Sequence, residues 1–296
     1  MTSRSETTAS PRSGDQLRRI GPGVVAAMSF GLSDVLAKVV LLAGCDVLTM
    51  LSFRGVVGTA FMSLWLRIGS KPRLDPRARW IATGIGVIFA GLVFCLFKSI
   101  EAIDVPTAVL SYFTYPLLTG LTASLMCIER LRWQGAACAI VVFVGLAVTI
   151  GAHPADFALV GVAYALAAAC CRTAILVMTR AYLVDADPRL ITWYSLISST
   201  VVLIVLSVGA QTWNWPQTSQ GWVAIFGVSL AITSGVMFVF VSTARIGAFR
   251  TALIMNLEPL TATILSALIL GEVITPIQGL GGVIMLAALV AFQLWR

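Results

Sequence analysis

Apolar runs long enough to cross a bilayer core, which takes about 20 helical residues, recur from Ile20 to Trp295 with brief polar interruptions. The pattern predicts ten membrane-spanning helices, at 20–42, 47–68, 80–100, 105–128, 132–151, 157–180, 189–209, 222–244, 250–271 and 276–295. Helix-breaking pairs separate the runs: Cys45-Asp46, Lys71-Pro72-Arg73, Asp75-Pro76, His153-Pro154, Asp187-Pro188 and Trp215-Pro216. Residues 1–19 are polar and rich in Ser, Thr and Arg, and are expected to form a disordered cytoplasmic tail. They lack the apolar region and small-residue cleavage site of a removable signal peptide.

Charge then orients the spans. Four of the 20 cations, Lys38, Arg54, Lys98 and Arg172, fall within spans and away from their cytoplasmic ends. With ten spans and a cytoplasmic N-terminus, the other 16 all fall on the cytoplasmic side, and the opposite loops carry only acids: Asp46, Glu101, Asp104, Asp156 and Glu272. That split is what the positive-inside rule requires, and one missed span would scramble it. Both termini are therefore expected in the cytoplasm. Trp65, Trp80, Trp133 and Trp295 mark inner span ends, while Trp213, Trp215 and Trp222 gather at one outer loop.

Composition excludes several classes of function. The chain is 58% hydrophobic and 11% charged, against roughly 25% charged in soluble domains, so no soluble catalytic or nucleic-acid-binding domain fits. The net charge of +7 belongs to short loops, and no nucleic-acid partner is expected. There is no HExxH, GxSxG or P-loop, so neither an enzyme nor direct ATP coupling is indicated. Six cysteines without a CxxC pair, and a lone His153 expected in an outer loop, support no metal site, disulfide framework or cofactor.

Residues 105–129 superpose on 248–272 at a constant offset of 143, matching Leu110, Pro116, Leu117, Leu125 and Glu129 with Leu253, Pro259, Leu260, Leu268 and Glu272. Each half places a proline 13 residues before a span-ending glutamate, followed by Gln134-Gly135 or Gln278-Gly279. Five spans is an odd number, so the halves, 20–151 and 157–295, must have opposite orientation, as in many secondary transporters. The expected fold class is an all-α integral membrane protein of ten transmembrane helices in two inverted five-helix repeats.

The segment Ala252-Leu253-Ile254-Met255-Asn256-Leu257-Glu258-Pro259-Leu260, running on through Leu270-Gly271-Glu272 to Gln278-Gly279, resembles the EamA-type branch of the drug/metabolite transporter superfamily. Tyr115-Pro116-Leu117, Glu129 and the Phe30-Gly31 to Lys38 segment extend the resemblance through the first half. Tyr115 stands where the other half has Glu258, and Ile128 where it has Gly271. The resemblance implies a bacterial inner-membrane transporter of amino acids, drugs or other metabolites, commonly an exporter. Its expected partners are a small-molecule solute and the lipid bilayer, and a homodimer is left open.

Charges inside spans are costly and mark pathways or internal pairs. Asp34 and Lys38 are four apart and can pair on one face, within a stripe of Ala27, Gly31, Asp34 and Lys38. A similar stripe runs through Gly161, Ala165, Ala168, Ala169 and Arg172. Small residues alone need only close helix packing. Arg172 is a candidate solute or pathway residue, the alternative being a structural pair with Asp34 or Glu258. Arg54 and Glu258 are further candidates, with Tyr112, Asn256, Trp193 and Tyr194 as lining groups. Lys98 can snorkel to the interface, and Pro116 and Pro259 are expected hinges. Four intramembrane cations against two acids leave an excess that an anionic solute could balance. A lipid-linked sugar flippase or an organic-cation exporter of the same fold remains the alternative, and the sequence leaves solute, direction and coupling open.

Overall fold

The computed structural model describes residues 13–68, 73–103, 105–150, 158–211 and 213–294. The first twelve residues of the expected tail, Lys71, Pro72 and His153 lie outside them. Helix α1 (Ser13–Leu42) starts within the segment expected to be tail. It is followed by α2 (Val47–Arg67), α3 (Pro76–Ala102), α4 (Val105–Tyr112), α5 (Tyr115–Leu125) and α6 (Trp133–Ile150). The second half holds α7 (Leu159–Tyr182), α8 (Pro188–Ala210), α9 (Ser219–Ile246), α10 (Ala248–Ile254), α11 (Leu257–Leu270) and α12 (Pro276–Leu294).

The punctuation works through caps. Asp46, Asp75, Asp187 and Thr218 accept backbone N–H bonds at the starts of α2, α3, α8 and α9, and proline opens α3 and α8. Asp46 also accepts the Asn214 N–H at 2.8 Å, tying the 43–46 turn to the 213–217 loop. Seven helices among the described residues are long and apolar enough to cross a membrane, counting 248–270 as one, and Trp133–Thr149 and Pro276–Phe292 are shorter apolar helices.

The span expected at 105–128 is interrupted at residues 113–114, and its partner at 255–256. Pro259 has no N–H to give the Met255 carbonyl, which instead accepts from Glu258 at 3.0 Å. The Asn256 amide donates to the carbonyls of Ala252 and Leu253 at 3.2 and 3.0 Å, so this side chain secures the break. In the first half Thr114 Oγ1 donates to the Ser111 carbonyl at 2.7 Å.

Packing is organised by exchange between the halves. α1 lies on α9 and α11 of the second half, while α7 lies on α3, α4 and α5 of the first. α2 packs on α8 and α9, α8 on α2 and α3, and α6 on α12. Swapping the halves leaves this pattern unchanged, so each repeat completes its core with the other.

The small-residue stripes serve this packing. Ala27, Gly31, Gly161, Ala165, Ala168 and Ala169 are all buried. At Gly31 a Cβ would stand 2.8 Å from the Glu258 carbonyl oxygen and 2.8 Å from Thr261 Cβ, so α1 meets α11 through bare backbone.

Candidate functional site

Four charged side chains from four helices meet near the middle of the bundle. Asp34 (α1) lies within electrostatic reach of Arg54 (α2) and Glu258 (α11), and Glu258 within reach of Arg172 (α7). Tyr112, at the end of α4, faces Arg172, Glu258 and Asp34. Asp34 is exposed, with groups of α2, α4 and α11 within electrostatic reach of it.

Arg172 is the most enclosed of the four, at 4% exposure. Its guanidinium lies 5.0 Å from the Phe30 ring centroid and 5.8 Å from that of Tyr115, within the range of a cation–π contact. Neither Arg172 nor Arg54 makes an ion pair with a carboxylate within 4.0 Å among the described residues. The Arg172 Nε is buried and has no hydrogen-bond partner there.

The structure redistributes the intramembrane charges. Lys38 pairs with Glu272 beyond the end of α11 rather than with Asp34, because Lys38 sits at the far end of α1. Lys98 pairs with Glu101 at 2.6 Å. With both lysines matched, the central cluster holds two arginines against two carboxylates, which corrects the expected excess of cations.

A second latch mirrors the Lys38–Glu272 pair. Glu129 accepts the N–H groups of Ala248 and Phe249 at 2.7 and 3.2 Å, and Arg180 Nε lies 3.2 Å from its Oε1. Gly247 has φ +96°, and a Cβ there would meet the Glu129 carboxyl carbon at 2.9 Å. The latches stand at opposite ends of the α10–α11 span, about 35 Å apart at 1.5 Å per residue. Each joins a span-ending glutamate to a cation on the first helix of the other half. Lys38 and Arg180 are 142 apart, as are Phe30 and Arg172, and Tyr115 and Glu258 are 143 apart. Thr173 Oγ1 donates to the Tyr115 carbonyl at 3.3 Å, the counterpart of the Gly31 approach to Glu258.

Of the residues singled out in the sequence, Arg172, Glu258, Asp34, Arg54 and Tyr112 come together. Asn256 is buried, with its amide donors engaged by backbone. Trp193 donates to Ser63 Oγ at 2.7 Å and stacks edge-on with Tyr194, joining α8 to α2. Phe30, Tyr115 and Arg180 were not among the candidates. Tyr115 carried a usable signal, since it occupies the repeat position of Glu258.

The EamA-like transporter family matches residues 20–151 and 159–292. The threonine/homoserine exporter RhtA of Escherichia coli K12 is 26% identical over 230 residues, covering 76% of this chain and 74% of that one. The same protein from the O6:H1 and O157:H7 strains matches equally. A solved crystal structure aligns with 94% of this chain and 100% of its own, with a TM-score of 0.76 at 20% identity, a likeness of fold.

The two latches differ in what they contribute. The Lys38 and Glu272 side chains are about half exposed, at 52% and 48%, so that pair adds little to stability. Glu129 is 18% exposed and holds two backbone donors as well as Arg180. Glu129→Gln should therefore cost about 1.5–3 kcal/mol, the scale of charged hydrogen bonds, seen as a lower melting temperature in detergent. Glu272→Gln should leave the melting temperature within error. Equal shifts for both variants would contradict this ranking.

Proposed function

The chain belongs to the EamA-like transporter family, and from that premise we propose that it is a secondary transporter exporting an amino acid or a closely related carboxylate. The observation that carries this reading is the central cluster: a buried arginine with an unpartnered Nε, an aromatic wall and two carboxylates within electrostatic reach of one another. Arginine offers a planar fork to a carboxylate, while Glu258 and Asp34 can receive an ammonium. A balanced cluster suits a zwitterion better than a purely anionic solute, which changes the emphasis drawn from the sequence. The amino-acid specificity in the names of the curated relatives supports the same class.

The chain crosses the inner membrane ten times in this proposal. The broken pairs α4–α5 and α10–α11 count as one crossing each, and both termini are cytoplasmic. The halves act as inverted repeats and alternate access to the charged cluster, opening the Lys38–Glu272 latch and the Glu129–Arg180 latch in turn. Pro116 and Pro259 mark the bending points.

Proteoliposomes loaded with labelled threonine test the solute class. Arg172→Lys should lower efflux about tenfold or more, as loss of one charged hydrogen bond implies, with normal insertion and yield. Wild-type efflux from the lysine variant, together with transport of tetraphenylphosphonium, would favour an organic-cation exporter. Lipid translocation without threonine efflux would favour a flippase.

Orientation is checked separately. Impermeant thiol labelling of single introduced cysteines should find both termini and the 69–79 loop inside, and the 210–221 loop outside. Termini on opposite sides would end the ten-span account.

A further inference from the structure

A second site lies away from the central cluster. At the Glu129 end, a pocket of about 720 Å³ is bordered by Arg130, Arg132, Arg180 and Arg250, with Phe249 and Phe292 among its apolar walls. Phe249 joins the pocket to a small separate core with Cys138, Val142, Leu253 and Leu289, apart from the main core that contains Phe30 and Tyr115. We propose that this pocket binds the phosphate headgroup of an anionic phospholipid.

Three observations support the assignment. The first is unbalanced charge. Glu129 is the one carboxylate among the lining residues, and Arg180 and two backbone N–H groups already engage it. Arg130, Arg132 and Arg250 are exposed and form no ion pair among the described residues. Arg250 rests over the Phe292 ring at 5.9 Å, a contact that leaves its donors free. Three guanidinium forks around one cavity match phosphate oxygens.

The second observation is depth. Trp133, which also lines the pocket, is 73% exposed, as expected of an indole at the membrane–water boundary. The arginines therefore sit at headgroup level.

The third distinguishes a lipid from free phosphate. From the pocket, α6 and α12 run into the bilayer with apolar side chains turned outward, among them Ile140, Val144, Val283 and Val290 at 51–63% exposure. An anionic head in the pocket and acyl chains along these helices satisfy both surfaces at once. Basic pockets between transmembrane helices are suited to anionic headgroups for this reason.

The test uses the purified full-length protein in mild detergent, with dioleoyl phosphatidylglycerol added and bound lipid counted by native mass spectrometry. Wild type should retain one phosphatidylglycerol in preference to phosphatidylcholine. Combined replacement of Arg130, Arg132 and Arg250 by Gln should weaken retention about tenfold or more. Arg77→Gln/Arg79→Gln, which removes two cations outside the pocket, should not weaken it.

A photoactivatable phosphatidylglycerol on the wild-type protein gives a readout independent of any variant, and its crosslinks should map to residues 128–135 and 246–250. Equal retention by the triple variant, equal loss in the Arg77/Arg79 control, or crosslinks confined elsewhere would overturn the proposal. Displacement of the lipid by millimolar inorganic phosphate would also overturn it, by identifying a free-anion site.

Discussion

The arrangement depends on one close approach made twice. In each half the first helix lies against the proline-broken span of the other half, at the level of the break. Gly31 brings α1 onto the Glu258 carbonyl without an intervening side chain, and Thr173 on α7 donates to the Tyr115 carbonyl. Neither half has a core of its own to fall back on, since the contacts of α1, α2, α3 and α7 are mostly with the opposite half. The charged cluster thus lies at a seam between repeats, where a membrane transporter can change access by moving one half against the other.

The same symmetry explains why the centre can be polar. Phe30 and Arg172 occupy equivalent positions, as do Tyr115 and Glu258, so each pair contributes one aromatic and one charged member to the axis. The rings stack on the guanidinium and offset part of the cost of placing it away from water. At the ends the equivalence is retained in the two glutamate latches, which differ in exposure and in the backbone donors that Glu129 alone accepts among the described residues.

The all-helical class, most of the long apolar helices and the repeat through Pro116 and Pro259 were legible because hydropathy and proline leave strong marks along the chain. The left-handed turn after the broken span was harder to place. Gly271 adopts it at φ 70°, but its first-half counterpart is Cys127 at φ 55°, one residue before the Ile128 that the alignment pointed to. The residue equivalence of α1 with α7 was hidden as well, because Gly and Ala stripes fit several offsets and only the matching contacts of the two helices select 142. Sequence spacing allowed Lys38 to pair with Asp34, yet the partner, Glu272, lies 234 positions away and no local pattern reveals it. Arg172 and Glu258 were legible as costly charges in apolar runs, whereas the aromatic wall was not, since Phe and Tyr are ordinary packing residues there.

The central claim is that solute crosses only when the two latched ends open in turn. It is tested most directly by bridging the exposed latch in a variant whose six native cysteines are replaced. Lys38→Cys with Glu272→Cys, joined by a short cleavable bifunctional reagent, should bring solute efflux in proteoliposomes down to the protein-free background. Cleaving the linker should restore it. Efflux at the uncrosslinked rate with the bridge shown to be complete would contradict the account.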